Sequence, residues 1–288
     1  MHGGDELEDD FVIDHDLVAL SEGEEYEAIL SDEGSPSSPR SDPVPAERID
    51  KKRRRREKEK ERKVKRRRLL ESSESSQVSV ADQSPGDLSK YLSSLQAESA
   101  SKLSSLELED RLIPKFSIVD TQIWIGPRTL DDLADFIVKV LPTLHVQLGK
   151  KPKNNGSPAL LVITGAALRV ADVTRVLKDK RLRDQGGGEV AKLFAKHFKV
   201  GEHIAYLKRT KIGVAVGTPG RIGRLLCETD ALSVSALSHI MLDVTYRDTK
   251  KRNLFDIPET RDEVFQSVLA APQVLQGIKG GRIRVVLF

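Results

Sequence analysis

The stretch Ile212 to Leu226, IGVAVGTPGRIGRLL, constrains the chain most. Ile212, Val214 and Val216 belong to a short apolar run rich in β-branched residues, which predicts a buried strand. Gly217 permits a sharp turn, Thr218 suits a helix cap, and Pro219 suits the first helical position, where its missing N–H costs nothing. A strand that feeds directly into a helix predicts an α/β layer architecture. It also predicts a place for chemistry. The first amides of that helix, at Gly220 and Arg221, are expected to point outward and, with the Arg221 guanidinium beside them, to seat an anionic oxygen such as a phosphate. A plain structural turn is the competing reading, because Thr-Pro-Gly joins strand to helix well on any such scaffold.

The same grammar runs from Leu112 onward. Ala159 to Ile163 and Val190 to Ala195 read as strands, with Ile240 to Val244 another and Ile283 to Phe288 a terminal one. Ala167 to Lys178, Val200 to Leu207, Pro258 to Leu269 and Pro272 to Ile278 read as helices. Phe116 to Val119 and Ile123 to Ile125 are short and strand-like, and Thr129 is expected to cap a helix running to Leu141. The alternation predicts a RecA-like single α/β lobe, 112–288, with a mostly parallel sheet and helices on both faces. Sites in such sheets lie at the carboxyl ends of strands, where Thr164, Thr218 and Asp243 fall. A lobe of roughly 180 residues buries an adequate core without staples.

Ahead of it, 88–111 carries Leu88, Tyr91, Leu92, Leu95, Ser99, Leu103 and Leu106 near a 3.6-residue period and reads as one amphipathic helix, packed on the lobe or on a partner. Residues 1–87 form a charged tail that is disordered by composition. Met1 to Glu33 holds thirteen carboxylates and no Lys or Arg, either a solvated acidic tail or a linear motif that docks on a basic partner. Lys51 to Arg68 sets fourteen basic residues against three Glu. Its two clusters, Lys51, Lys52, Arg53, Arg54, Arg55 and Arg56, then Lys63, Lys65, Arg66, Arg67 and Arg68, have the look of a bipartite nuclear import signal read by an import receptor. The same charge can neutralise RNA phosphates.

Several chemistries lack their residues. The one cysteine, Cys227, cannot make an internal disulfide, and with no signal-type or membrane-length apolar run the chain is expected to be soluble in a reducing compartment. None of the six histidines pairs with Cys or carboxylates at zinc spacing, so no metal is expected. Lys192, Lys196, His197 and Lys199 form a second basic cluster that, on the same side as Arg221, makes a track for RNA backbone; a solvated face is the alternative. Stacking aromatics are not expected among these positions, so base readout is expected to be weak. Trp124 is expected to anchor in the core.

The order ALLVITGAAL, IGVAVGTPGRIGRLL, LSHIMLDVTYRD and RVVLF resembles the first RecA-like lobe of DEAD-box RNA helicases, from Ala159 to the C-terminus. The specific match is TPGR, which in helicases holds RNA backbone; the resemblance implies that role for Thr218, Gly220 and Arg221. Departures point one way. No GK[ST] phosphate loop is present, Asp243 keeps the first acid of Asp-Glu-Ala-Asp while the catalytic glutamate position is Val244, and Thr164 to Leu168 has lost the arginine and glutamate of the helicase motif. Asp243 therefore reads as a vestige or as a hydrogen-bond acceptor for the nearby turn, with no catalytic residue.

AKLFAKHFKV, VGTPGRI and DIPETRDEVFQSVL resemble more closely a single-lobe, helicase-related family associated with the small-subunit processome, the early 90S pre-ribosome. That resemblance implies a nucleolar, non-enzymatic assembly factor without cofactor, sitting among pre-ribosomal RNA and processome proteins, with no membrane partner and no homo-oligomer. Two other readings stay open: an ATPase with a cryptic nucleotide site near Pro127 to Asp132 and a second lobe supplied in trans, and a nuclear adaptor for chromatin or replication proteins.

Overall fold

The computed structural model describes residues 79–100, 103–183, 186–196 and 198–288. The acidic stretch, the basic clusters of 51–68 and His197 lie outside the described residues.

Five parallel strands form one sheet: β1 (Leu160–Ile163), β2 (Glu189–Leu193), β3 (Ile212–Gly217), β4 (His239–Leu242) and β5 (Arg284–Leu287), in the order β2-β3-β1-β4-β5. The central strands are buried along their whole length, which is why they read as unbroken apolar runs instead of alternating ones. Ile163 stands opposite Gly217 on one side and Leu242 on the other, so β1, β3 and β4 end level.

Side chains alternate between two cores. Leu161, Ile163, Ile240, Leu242, Val285 and Leu287 face one layer, built from α1 (Pro85–Ser99), α6 (Val200–Arg209), α7 (Pro219–Cys227), the π-helical segment Glu263–Leu269 that continues α8 (Pro258–Asp262), and α9 (Pro272–Lys279). Leu160, Val162, Val214, Val216 and Met241 face the other, covered by α3 (Leu133–Val140), α4 (Pro142–Leu148) and α5 (Ala167–Leu177). Among the described residues the remaining α-helix is α2 (Ser105–Asp110). This is the α/β architecture, with a parallel sheet covered on both faces, that the alternation predicts.

The stretch 88–111 is two helices, not one. α1 drives Leu88, Leu92 and Leu95 into the first core, so it is integral to the lobe. A fresh start follows because Ser104 and Glu107 make a capping box: the Ser104 amide donates to Glu107 Oε2 at 2.9 Å, and Ser104 Oγ accepts from the Glu107 amide at 3.3 Å. Leu106 is left 71% exposed.

The expected strands at 116–119 and 123–125 do not form. Ile118 makes a single parallel bridge to Val285, after a 3₁₀ turn at Lys115–Ser117. Asp120 Oδ1 then accepts from the Gln122 amide at 3.0 Å, turning the chain away from the sheet. Trp124 goes inward, edge-on to Phe136 and donating from Nε1 to the Pro127 carbonyl at 3.1 Å, while Ile123 and Ile125 are exposed. Beyond that bridge, where the Val119 amide donates to the Val285 carbonyl at 2.9 Å, a side chain closes the outer edge of β5: Arg128 Nη1 donates to the Leu287 carbonyl at 3.2 Å. An edge carbonyl satisfied by a guanidinium is not available to a foreign strand.

Candidate functional site

The strand, the turn and the helix form where the sequence places them. Thr218 has extended backbone (φ −81°, ψ 148°), Pro219 opens α7, and the Thr218 amide donates to the Leu193 carbonyl of β2 at 3.0 Å. Gly217 is required because a Cβ there would collide with that carbonyl oxygen. The Thr218 hydroxyl makes no cap hydrogen bond.

What faces the turn differs from the expectation. Gly220 lies against the Glu263 carboxylate, whose Cδ would sit 2.8 Å from a Cβ at that position. A carboxylate at a helix N-terminus is favourable to the dipole, and here the chain supplies its own anion. Arg221 is only 6% exposed, and its Nη1 donates to His203 Nδ1 at 3.2 Å. That bond fixes the neutral His203 with its proton on Nε2. Burial first, and the Arg221 charge second, pull the His203 pKa from 6.5 to about 4. The Arg221 guanidinium is therefore directed inward and not outward beside free amides.

The five residues expected to hold RNA phosphate do not form one cluster. Thr218, Gly220 and Arg221 belong to the α7 side of the sheet. Lys192 alternates with Ala191 and Leu193 and shares the parity of Val190, so its side chain lies on the α5 side. Burial, then the like charges of Lys178 and Arg175, lower its pKa. Lys196 is half-buried in the turn after β2.

Asp243 follows β4 directly, its amide donating to the Ile163 carbonyl at 3.0 Å. Its carboxylate is clasped by Arg169 of α5, Nε to Oδ2 at 2.8 Å and Nη2 to Oδ1 at 3.3 Å. The two side chains are 3% and 6% exposed. The Arg169 guanidinium also lies over the Tyr246 ring, 5.0 Å from its centroid. Val244, at the position where the resemblance sets a catalytic glutamate, is buried, and its amide donates to the Phe288 carbonyl at 2.8 Å.

Arg128 occupies the stretch that a cryptic nucleotide site would need. Its Nε pairs with Asp82 at 2.8 Å, and Nη2 donates to the Ala81 carbonyl at 3.0 Å and to Thr121 Oγ1 at 3.0 Å. With its side chain 4% exposed, this arginine ties the segment preceding α1 to the carboxyl end of β5.

Sequence reasoning passed over Arg169 and Arg128. Arg169 had a readable signal: with Val173 and Leu177 it lies on the core-facing stripe of α5, and a charge on such a stripe demands a partner. Arg128 had none, since its partners, the Asp82 carboxylate, the Thr121 hydroxyl and the Ala81 and Leu287 carbonyls, come from three separate segments. Among the described residues no group of three or more His, Cys, Asp or Glu is placed to hold a metal, and no helix is long and apolar enough to cross a membrane.

A family model described as CMS1, U3-containing 90S pre-ribosomal complex subunit, matches residues 39–288. The chain belongs to this family. Protein CMS1 of Chaetomium thermophilum is 41% identical over 173 residues, 60% of this chain and 67% of that protein. Protein cms1 of Schizosaccharomyces pombe is 33% identical over 209 residues, 72% of this chain and 70% of that protein. Among solved structures, a DEAD box protein from Methanococcus jannaschii matches 56% of this chain and 37% of its own, at 17% identity and a TM-score of 0.34. The CMS1 match takes in the whole sheet, both arginine-anchored sites and part of the tail.

Proposed function

We propose that this chain is a non-catalytic assembly subunit of the 90S pre-ribosome, binding pre-ribosomal RNA and processome proteins through its lobe and its charged N-terminal stretch. It acts in the nucleus and nucleolus, and an import receptor reads the basic clusters between Lys51 and Arg68. Family membership supports the pre-ribosomal setting, and the density of basic charge supports RNA contact.

One observation carries the non-catalytic part: the Asp243 carboxylate is committed to Arg169 in a buried, two-bond ion pair. A carboxylate that handles magnesium or an attacking water must offer its lone pairs to them. Freeing Asp243 leaves a buried guanidinium uncompensated, which is expensive. Arg128 supports the same conclusion, because a guanidinium and the segment it binds fill the ground beside β5.

The test is steady-state ATP hydrolysis by the full chain with and without single-stranded RNA. The expected rate is background in both, and unchanged in Asp243→Asn. RNA-stimulated turnover lost in Asp243→Asn would overturn the proposal in favour of an ATPase completed in trans. RNA crosslinking in cells tests the partner: absence of pre-ribosomal RNA adducts would favour the adaptor reading.

A further inference from the structure

The corner between β2 and α6 combines an exposed ring, a buried histidine and a run of lysines. Phe198 is 40% exposed although the lobe has ample apolar interior. Its ring lies 5.3 Å from that of His203 and tilted by 32°, and 5.4 Å from that of Phe194 at 82°. His203 is in turn fixed by the buried Arg221, so the aromatic corner is braced from behind and is continuous with the Thr218 to Arg221 turn. A second brace is the bond from the Thr218 amide to the Leu193 carbonyl, one residue before Phe194.

The surroundings are mostly cationic, with Glu202, whose Oε2 accepts from the Lys199 amide at 3.0 Å, as the acidic exception. Lys192 and Lys196 flank Phe194, Lys199 follows Phe198, and the like charges of Lys178 and Arg175 bear on Lys192. Neither Lys192 nor Lys199 is ion-paired to a described residue. These lysines lie close in sequence to a ring that the fold leaves 40% exposed. They match one chemistry well: lysines track a phosphate backbone while an aromatic face takes a base, the arrangement used for single strands. A double helix offers no unstacked base for such a ring.

We propose that Phe198, backed by Phe194 and His203 and flanked by Lys192, Lys196 and Lys199, is a stacking platform for one base of single-stranded RNA. This rests on the RNA reading above and deepens it. It moves the contact from the inward-facing Arg221 to the adjoining corner, and it gives the TPGR turn a supporting role, which is to hold His203 and the end of β2 in place. The expectation of weak base contact is replaced by one defined stacking position, indifferent to base identity because every base has a π-face.

The test uses the full chain with Phe198→Trp, an exposed reporter, since Trp124 is buried. The probes are a short oligouridine and an abasic oligomer of equal charge, each followed by fluorescence anisotropy and by tryptophan emission. The platform predicts that oligouridine binds and quenches the new tryptophan, whereas the abasic oligomer binds without quenching. At high salt, where contacts made by charge alone fall away, Phe198→Ala lowers oligouridine affinity by about 5-fold or more. Binding of oligouridine without quenching, and with equal affinity in Phe198→Ala, overturns the platform and leaves the RNA reading standing. No binding of either oligomer overturns both.

Discussion

Arg169 Nε lies 2.8 Å from Asp243 Oδ2, joining α5 to the end of β4 where almost no solvent reaches. Such a pair repays its own desolvation only while both partners are present. Arg169→Leu is therefore expected to lower unfolding free energy by about 3–5 kcal/mol, because Asp243 is left buried and unpaired. The double variant Arg169→Leu with Asp243→Leu is expected to recover most of that loss. Urea midpoints for the two variants and the parent check this; equal losses in single and double variants would mean that the pair is not the source.

Arg128 makes its contribution through geometry as much as charge. Its fork reaches Asp82, the Ala81 and Leu287 carbonyls and Thr121 at once. Arg128→Lys keeps the charge and loses the fork, so a loss of about 1–3 kcal/mol is expected. Hydrogen exchange adds the location: protection should fall at the β5 edge and at α1, and remain at β3.

Stability should fall on acidification below neutrality. His203 and His239 are both buried, and burial first, then Arg221 and Arg284 respectively, take each from 6.5 to about 4. Between these values the unfolded chain binds more protons than the folded one. The stabilisation is thus fully present above about pH 6.5 and is lost as the pH falls toward 4. Each histidine contributes a loss of up to about 2 kcal/mol near pH 5. Urea midpoints measured at pH about 7.5 and about 5 check it, and His203→Gln should flatten part of the slope.

Much of the fold was legible because parallel central strands cannot hide: Leu160 to Ile163 and Ile212 to Val216 are apolar at every position but Gly213, and all are buried. The turn at Thr218 to Pro219 was legible because its residue types have few other uses. Ile123 to Ile125 misled because a short apolar run was read as a strand; the turn at Asp120 takes it off the sheet, and with Trp124 anchored inward both isoleucines are exposed. The outward Arg221 misled because sequence shows a helix start without what packs on it, and Glu263 and His203 come from elsewhere in the chain. Phe194 and Phe198 stand four apart among lysines in plain view, yet only the folded corner shows that the second ring stays exposed.

The central claim is that this lobe binds RNA without any coupling to nucleotide. It is tested most directly by one equilibrium titration of the full chain with labelled single-stranded RNA, in the presence and absence of magnesium and ATP. The predicted result is the same affinity in both. Tightening of RNA binding by magnesium and ATP, abolished in Asp243→Asn, would contradict it.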